Sequence, residues 1–395
     1  MELKILLLSI DLGHMAHRVQ YLIRFLAERN INTKILDLSF RHENQSIKNF
    51  SKNILLFPSR ASASSGNIIH FPSIPTLGSN QNNSSAFLHF FFSFLDFILV
   101  KLISKSIDYN VVVATDPISA FVARAANKKS KPFFVYENLD FFEDLQPGQT
   151  RRKFISILEE AALKQADLVV SVSELLQRRA RLRNSNCVII ANGADLKYFQ
   201  KSQELCREPS LIYAGSIVEW CGLEIAIKGL ALLKKKIPGI TMKIVGAGEG
   251  RPELEALVRR LSLEDTISFT GKVPYKKMAE LLCKSSVGLA TFKPGKAAAF
   301  ASPLKLFDYM AAGLPIIATD IGNIGRILRD SNSGFPIEWA VDEFVQKTET
   351  LMTKQKMWID FHEKGLRYVK DYDWGKLFED WLQEIRRRLE HRSLS

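Results

Sequence analysis

Short β-type runs alternate with helix-length stretches along nearly all of the chain, and this alternation constrains the fold more than any other feature. Parallel neighbours need a crossover between them, so the pattern is that of parallel sheets covered by helices. In the first half the runs Lys4–Ser9, Thr33–Leu38, Val111–Ala114, Phe133–Tyr136, Leu168–Ser171 and Cys187–Ile190 read as strands. In the second half Leu211–Tyr213, Met242–Val245, Thr266–Phe269, Val287–Ala290 and Ile316–Ala318 do the same. Each half therefore reads as one doubly wound α/β unit. The length of 395 residues accommodates two such units, and 46% hydrophobic with 24% charged residues is a globular composition.

Between the halves, ANGADLKYFQKSQELCREPS ends a strand in a Gly turn and continues as a charged, Pro-containing segment. The boundary is expected near Gln200–Pro209, giving domains of residues 1–204 and 205–371. Residues 372–395, with Trp374, Leu377, Phe378, Trp381, Leu382, Ile385 and Leu389 at helical spacing, are expected to form an amphipathic helix packing on the first domain. Ser59–Ser85 is rich in Ser, Asn, Gly and Pro and reads as a long loop. The Phe- and Leu-dense Ala86–Ile103, interrupted by His89, Asp96 and Lys101, falls short of a transmembrane helix. Two readings stay open for it, a buried helix and a helix resting on a membrane interface.

Four cysteines without metal-ligand or framework spacing indicate neither zinc nor disulfides, which fits a reduced, cytoplasmic setting. The apolar run at the start is six or seven residues, too short and wrongly flanked for a signal peptide. A net charge of +12 gathers in clusters such as Arg151–Lys153 and Arg178–Arg183. That balance favours a polyanion, namely nucleic acid, an anionic membrane face or a phosphorylated substrate, against the plainer reading of solvated helix faces.

The most informative stretch is SPLKLFDYMAAGLPIIAT, Ser302–Thr319. Ser302 can cap a helix, Pro303 suits its first turn, and Gly313 is a C-terminal stop. Helix N-termini beyond strand C-termini bind anions through free amides and the helix dipole. Lys305 and Asp308, three apart, would present a cation for phosphate and a carboxylate for hydroxyls, or else a plain surface salt bridge.

This stretch resembles the retaining GT-B glycosyltransferases, family four type, in the branch whose nucleotide-binding helix reads S-P-x-K-x-[FYW]-[ED]-Y-M-A-x-G-x-P. Ser302, Pro303, Lys305, Phe307, Asp308, Tyr309, Met310, Ala311, Gly313 and Pro315 match in register. YAGSIVEWCGLEIAIKGLALL, KIVGAGEG, FTGKVPYKKMAELLCKSSVGL and VIIANGADLKYF follow the same family in order and spacing over roughly Val188–Gly334. The resemblance implies a GT-B fold of two facing Rossmann-like domains, the last helix crossing back to the first. It implies a nucleotide-sugar donor as substrate, no cofactor and no metal. Asp308 is then expected at the ribose, and Lys305 with amides near Ser302, Pro303 and Leu304 at the diphosphate. Gly215, Ser216, Gly246, Gly248 and Glu249 are expected around the donor. From the first domain the loop with Gly13 and His14 is expected opposite the phosphates, a plain surface position being the alternative for His14 and His17, and Asp140, in YENLDFFED, beside the reacting sugar, with Lys305 as the leaving-group cation. For Asp140 a helix-capping role is the alternative.

The chain departs from the family where many members carry an Arg and a Lys against the leaving diphosphate; here those positions are Ser216 and Cys221. A glutamate that touches the donor sugar is replaced by Phe300. The expected reaction is sugar transfer to an acceptor hydroxyl with retention, the departing phosphate taking the proton, on a glycan or lipid-linked acceptor, with the protein peripheral to the membrane. A non-catalytic partner subunit of the same fold and a sugar-nucleotide epimerase are the alternatives; a nucleic-acid binder rests on charge alone. Gly246, Gly248 and Gly250 miss the G-x-G-x-x-G spacing of dehydrogenases. Asp371-Tyr372-Asp373 matches the metal-binding D-x-D pattern but lies away from any strand end and reads as a solvated turn with a cap.

Overall fold

The computed structural model describes residues 2–9, 17–37, 59–63, 66–70, 97–98, 100–102, 104–124, 131–146, 148–199 and 208–394. The chain divides into two compact units, Met1–Ile190 with Phe378–Ser395, and Ala191–Leu377. The divisions at 190/191 and 377/378 compare with 204/205 and 371/372 expected from the sequence. The ANGAD segment is tied into the second unit. Ala194 N–H donates to the Tyr372 carbonyl at 3.0 Å and Trp374 N–H donates to the Ala194 carbonyl at 3.2 Å. Gly193 carries no side chain there because a Cβ would meet the Tyr372 carbonyl at 2.1 Å.

The first unit holds an eight-stranded sheet of β1 (Lys4–Ser9), β2 (Asn32–Asp37), β3 (Ser59–Ala63), β4 (Gly66–His70), β5 (Val111–Ala114), β6 (Phe133–Asn138), β7 (Leu168–Ser171) and β8 (Cys187–Ile189). Their order is β3-β4-β2-β1-β5-β6-β7-β8, parallel except for the β3–β4 hairpin. The central strands are continuous apolar runs buried on both faces, as a helix-covered parallel sheet demands. The hairpin corrects the reading of Ser59–Ser85 as loop throughout. Its strands are five residues each and lie at the sheet edge, so the polar composition of the surrounding window outweighed a brief Asn-Ile-Ile run. Of the Phe-rich segment, Phe97 and Val100 pack with the core, whereas Ile98 and Leu102 are exposed. Most of that segment lies outside the described residues.

The second unit is a six-stranded, all-parallel sheet of β9 (Ser210–Ala214), β10 (Thr241–Val245), β11 (Ile267–Gly271), β12 (Val287–Ala290), β13 (Ile316–Thr319) and β14 (Gly334–Ile337). The order β11-β10-β9-β12-β13-β14 is the 3-2-1-4-5-6 order of a dinucleotide-fold sheet, with its direction reversing between β9 and β12. Sequence reading missed β14, whose Pro336 argues against a central strand. The strand lies at the edge, where a missing N–H costs no ladder bond on the open side.

The last helix, Trp374–Leu394, enters the first unit at Phe378. It is held there by a buried charge. Glu137, at 1% exposure on β6, accepts from Trp381 Nε1 at 2.6 Å and from Arg18 Nε at 3.1 Å. Arg18, 2% exposed, also lies over the Phe378 ring at 5.5 Å. A buried carboxylate shared by β6, the His17–Glu28 helix and the last helix fixes all three. Removing it takes this carboxylate from buried Arg18 and the acceptor from the Trp381 indole N–H. Glu137→Ala is therefore expected to destabilise the first unit by about 3–5 kcal/mol. Urea unfolding followed by tryptophan fluorescence would check it, and an unchanged midpoint would show the pair to be dispensable.

Candidate functional site

In a doubly wound sheet the crevice opens where strand order reverses, outside the strand C-termini. Here that point lies beyond β9 and β12. The turn after β9 and the GAGEG turn after β10 lie backbone against backbone. Gly215 N–H donates to the Val245 carbonyl and Ile217 N–H to the Ala247 carbonyl, each at 2.9 Å. A Cβ on Gly246 would come within 1.9 Å of the Gly215 carbonyl oxygen, and one on Gly248 within 2.1 Å of that of Ile217. With φ of 141° and 158°, both positions are closed to side chains. These glycines serve the contact between turns. Glu249, at the tip, is exposed, as is Ser216, whose carbonyl accepts from the Tyr213 hydroxyl at 2.6 Å.

Into this platform reaches Lys305, from the Leu304–Ala311 helix that follows β12. Its ammonium lies 3.7 Å from the Tyr213 ring centroid and 5.0 Å from that of Phe292. A Cβ on Gly215 would meet the ammonium at 2.9 Å. No carboxylate pairs with it among the described residues. Burial among rings pushes its pKa down to about 7. Cys221 lies close by with its thiol pushed up by burial, so this turn holds a buried sulfur, and Lys305 brings its charge to the same turn.

Lys305 and Asp308 share a helix but not surroundings. Asp308 is 6% exposed, accepts from the Tyr275 hydroxyl at 2.5 Å and feels the charge of buried Asp195; burial pushes its pKa up to about 7. The plain surface salt bridge considered for the pair is absent. Ser302 does not cap the helix, as the sequence had led one to expect. Pro303 occupies the N-cap position in extended conformation, and no side chain caps it. The Ser302 hydroxyl is buried without a hydrogen-bond partner, while its carbonyl accepts from Asn192 Nδ2 at 2.7 Å. With Pro303 intervening, the serine oxygen is one residue too early to reach the N-terminal amides. An uncapped helix N-terminus, an unpartnered buried hydroxyl and an unpaired ammonium thus fall within residues 302–305, groups suited to an anion. Tyr275, Asn192 and Asp195 were not singled out from sequence; the position of Tyr275 after Pro274, opening a helix beyond β11, was the available signal.

In the first unit, Gly13 and His14 lie outside the described residues. Glu137 is taken by Arg18 and Trp381, and Asn138, fully buried, donates to Ser171 Oγ at 3.1 Å. Asp140 differs from both. It is half-buried, with no hydrogen-bond or ion-pair partner among the described residues, and burial with the charge of Glu159 pushes its pKa up to about 7. It does not cap a helix: the next one, Gln149–Gln165, begins at Gly148. In the D-x-D match, Asp371 pairs with Lys376 at 2.6 Å and Asp373 accepts from Gly375 N–H at 2.8 Å, a local turn and cap.

Two nucleotide-fold units of this kind define the GT-B architecture, and known proteins agree. Residues 208–354 match the family described as glycosyl transferases group 1. An uncharacterized glycosyltransferase of Haemophilus influenzae is 24% identical over 282 residues, 69% of this chain and 74% of that protein. The phosphatidyl-myo-inositol mannosyltransferase of Mycobacterium leprae is 25% identical over 52% of this chain and 55% of its own length. Among solved structures, sucrose-phosphate synthase from Thermosynechococcus elongatus superposes with a TM-score of 0.75 at 16% identity, over 98% of this chain and 100% of that one. Anabaena HepE in complex with UDP-glucose superposes with a TM-score of 0.70 at 16% identity, over 99% and 100%.

The Tyr275 hydrogen bond lowers the Asp308 pKa against the larger effect of burial. Tyr275→Phe is expected to move Asp308 titration upward from about 7, leaving more of it protonated at neutrality. Carbon-13 titration of labelled aspartates in wild type and variant would show the shift; an unmoved resonance would mean the bond is not formed in solution.

Proposed function

We propose that this chain is a metal-independent hexosyltransferase that moves a sugar from a nucleoside-diphosphate donor to an acceptor hydroxyl with retention of configuration. The observation that carries this reading is the Lys305 ammonium, held without a carboxylate partner against the Gly215 turn beside an uncapped helix N-terminus. In this reading the diphosphate lies against Lys305, the amides of Leu304 and Lys305 and the Ser302 hydroxyl, and Asp308 accepts from the ribose hydroxyls. Gly215, Ser216, Gly246, Gly248 and Glu249 shape the wall. The diphosphate develops negative charge as the sugar leaves, and a preorganised cation in a desolvated spot stabilises that charge more than it does the ground state. Lys305 then replaces the cations absent at Ser216 and Cys221. UDP and UDP-glucose in the HepE structures make uridine nucleotides the first donors to test.

Lys305→Met is expected to lower kcat by about 10²-fold with a smaller rise in donor KM, whereas Asp308→Ala should weaken donor binding by about 1.5–3 kcal/mol. Diphosphate binding favours the charged lysine, so affinity should fall as pH rises above about 7, by up to about tenfold per unit, and proton uptake should accompany binding there. Calorimetry with UDP in buffers of different ionisation enthalpy reads both effects. A pH-independent affinity, or unchanged turnover in Lys305→Met, would remove Lys305 from the diphosphate.

The acceptor is proposed to be a glycan or lipid-linked intermediate reached from a cytoplasmic membrane face, without nucleic acid as a partner. Support comes from exposed Ile157 and Leu182, 58% and 74% accessible, beside Lys153 and Arg181, which pair with no carboxylate among the described residues. Not every basic residue of these clusters is free: Arg178, Arg179 and Arg183 pair with Glu174, Glu159 and Glu160. The names of relatives, a phosphatidyl-myo-inositol mannosyltransferase and colanic acid glycosyltransferases, point the same way. Among the described residues no helix is long and apolar enough to cross a membrane. The protein should float with anionic vesicles at low salt, less so at high salt, and less again as Ile157→Ser/Leu182→Ser. Failure to float with anionic vesicles at low salt would overturn the membrane reading.

A further inference from the structure

Around Asp140 the first unit gathers charges that the proposed transfer does not use. Glu159, on the Gln149–Gln165 helix, is completely buried, and its carboxylate lies 2.9 Å from Arg179 Nη2. Arg179, on the Glu174–Arg181 helix, has its guanidinium 4.6 Å from the Phe141 ring centroid and its Nη2 3.8 Å from Glu143. Residues 141 and 143 belong to the loop that carries Asp140. One guanidinium thus binds that loop, by stacking on one side chain and by charge on another, to two helices. Arg179 is itself held by the single buried carboxylate of Glu159. Glu159 is fully buried while Arg179 keeps 24% of its side chain exposed, and burying a carboxylate in this way is costly where an apolar residue of similar volume would serve. Its presence calls for another reason.

We infer that Arg179 and Glu159 are positioning residues for Asp140, Arg179 by fixing the loop through Phe141 and Glu143, and Glu159 by fixing Arg179. The inference rests on the expectation, drawn from the family resemblance, that Asp140 lies beside the reacting sugar. Asp140 alone among the polar residues 137, 138 and 140 is left without a partner, so its carboxyl is available to an incoming hydroxyl, and its aim depends on the loop. The charge of Glu159 also acts on it directly, adding to burial in raising its pKa. The groups gathered here are Glu159 and Arg179 from the two helices, Glu143 and Asp144 with Arg152 around the loop, Tyr136 on β6 and Asp116 beyond β5. Of these, Tyr136 is fully buried and its hydroxyl unpartnered, and it feels Glu159, Asp116 and Arg179 together. A planar, stacked guanidinium is not replaced by an ammonium, so Arg179→Lys tests the fixing of the loop while preserving the charge that Glu159 needs. Glu159→Gln removes the charge but keeps the shape.

The test is release of nucleoside diphosphate from UDP-glucose, GDP-mannose and ADP-glucose with water as acceptor, across pH 5.5–9, for wild type, Asp140→Asn, Arg179→Lys and Glu159→Gln, each first shown to unfold at the wild-type temperature within a few degrees. With the donor that turns over, Asp140→Asn is expected to lower kcat at unchanged donor KM. Arg179→Lys should lower kcat about tenfold at unchanged donor KM, and Glu159→Gln should move the acid limb of the kcat profile to lower pH. A purely structural role would leave that limb in place. If Asp140→Asn lowers kcat while Arg179→Lys keeps wild-type turnover and Glu159→Gln keeps the acid limb, the positioning role is overturned. Unchanged kcat in Asp140→Asn would instead overturn the reading of Asp140 itself, and with it the inference. Where Glu159→Gln unfolds early, the Arg179→Lys comparison decides alone.

Discussion

The second unit is organised by the direct packing of two turns with no side chain between them. Gly246 and Gly248 bring the end of β10 against the turn after β9, and either Cβ would break the hydrogen bonds that join Gly215 to Val245 and Ile217 to Ala247. Once these turns are locked, Lys305 is left with the rings of Tyr213 and Phe292 and the bare backbone at Gly215. An ammonium in such surroundings loses hydration and gains only ring quadrupoles in return, which are weak compensation. The burden falls on the protonated form, and a bound anion would relieve it. Geometry imposed by two glycines thereby becomes electrostatics at a lysine.

The first unit treats its buried charges differently. Glu137 has both oxygens engaged, by Trp381 and Arg18, and that closure fastens the last helix to the sheet. Three residues further along the chain, Asp140 has no partner among the described residues. Side chains that a strand end delivers to neighbouring places thus divide into one that holds the unit together and one left without a partner among the described residues. Desolvation penalises the ionised form of an unpaired carboxyl, whereas Glu137 is compensated by a cation and an indole N–H.

Much of this was legible in the sequence, because parallel strands buried on both faces leave continuous apolar runs and their helix N-termini carry recognisable small residues. The strands Lys4–Ser9, Val111–Ala114, Leu168–Ser171 and Val287–Ala290 were read with their observed bounds. What escaped was short or depended on tertiary contact. β3 and β4 are edge strands in a polar window, and β14 contains a proline. Ser302 reads as a cap from spacing alone, but Pro303 takes the N-cap position and leaves the hydroxyl without a partner. Lys305 and Asp308 are three apart and so were expected on one face. Yet one reaches the ring of Tyr213 and the other the hydroxyl of Tyr275, two tyrosines 62 positions apart that no local pattern connects. Tertiary partners, rather than helical periodicity, decide what each of the two charges meets.

That separation has a consequence for how the site responds to an anion. Desolvation acts in opposite senses on the two groups, lowering Lys305 and raising Asp308, and brings both to about 7. Each is pushed toward its neutral form, so near neutrality the helix offers neither a full cation nor a full anion. A negative ligand against the helix N-terminus changes the balance at both groups in one direction. It favours the protonated lysine by attraction and the protonated carboxyl by repulsion, so both bind protons more tightly as the ligand enters. A paired lysine and carboxylate would have cancelled each other and gained little from the same anion. With the two groups buried apart, each against a tyrosine, a bound anion would draw protons to both.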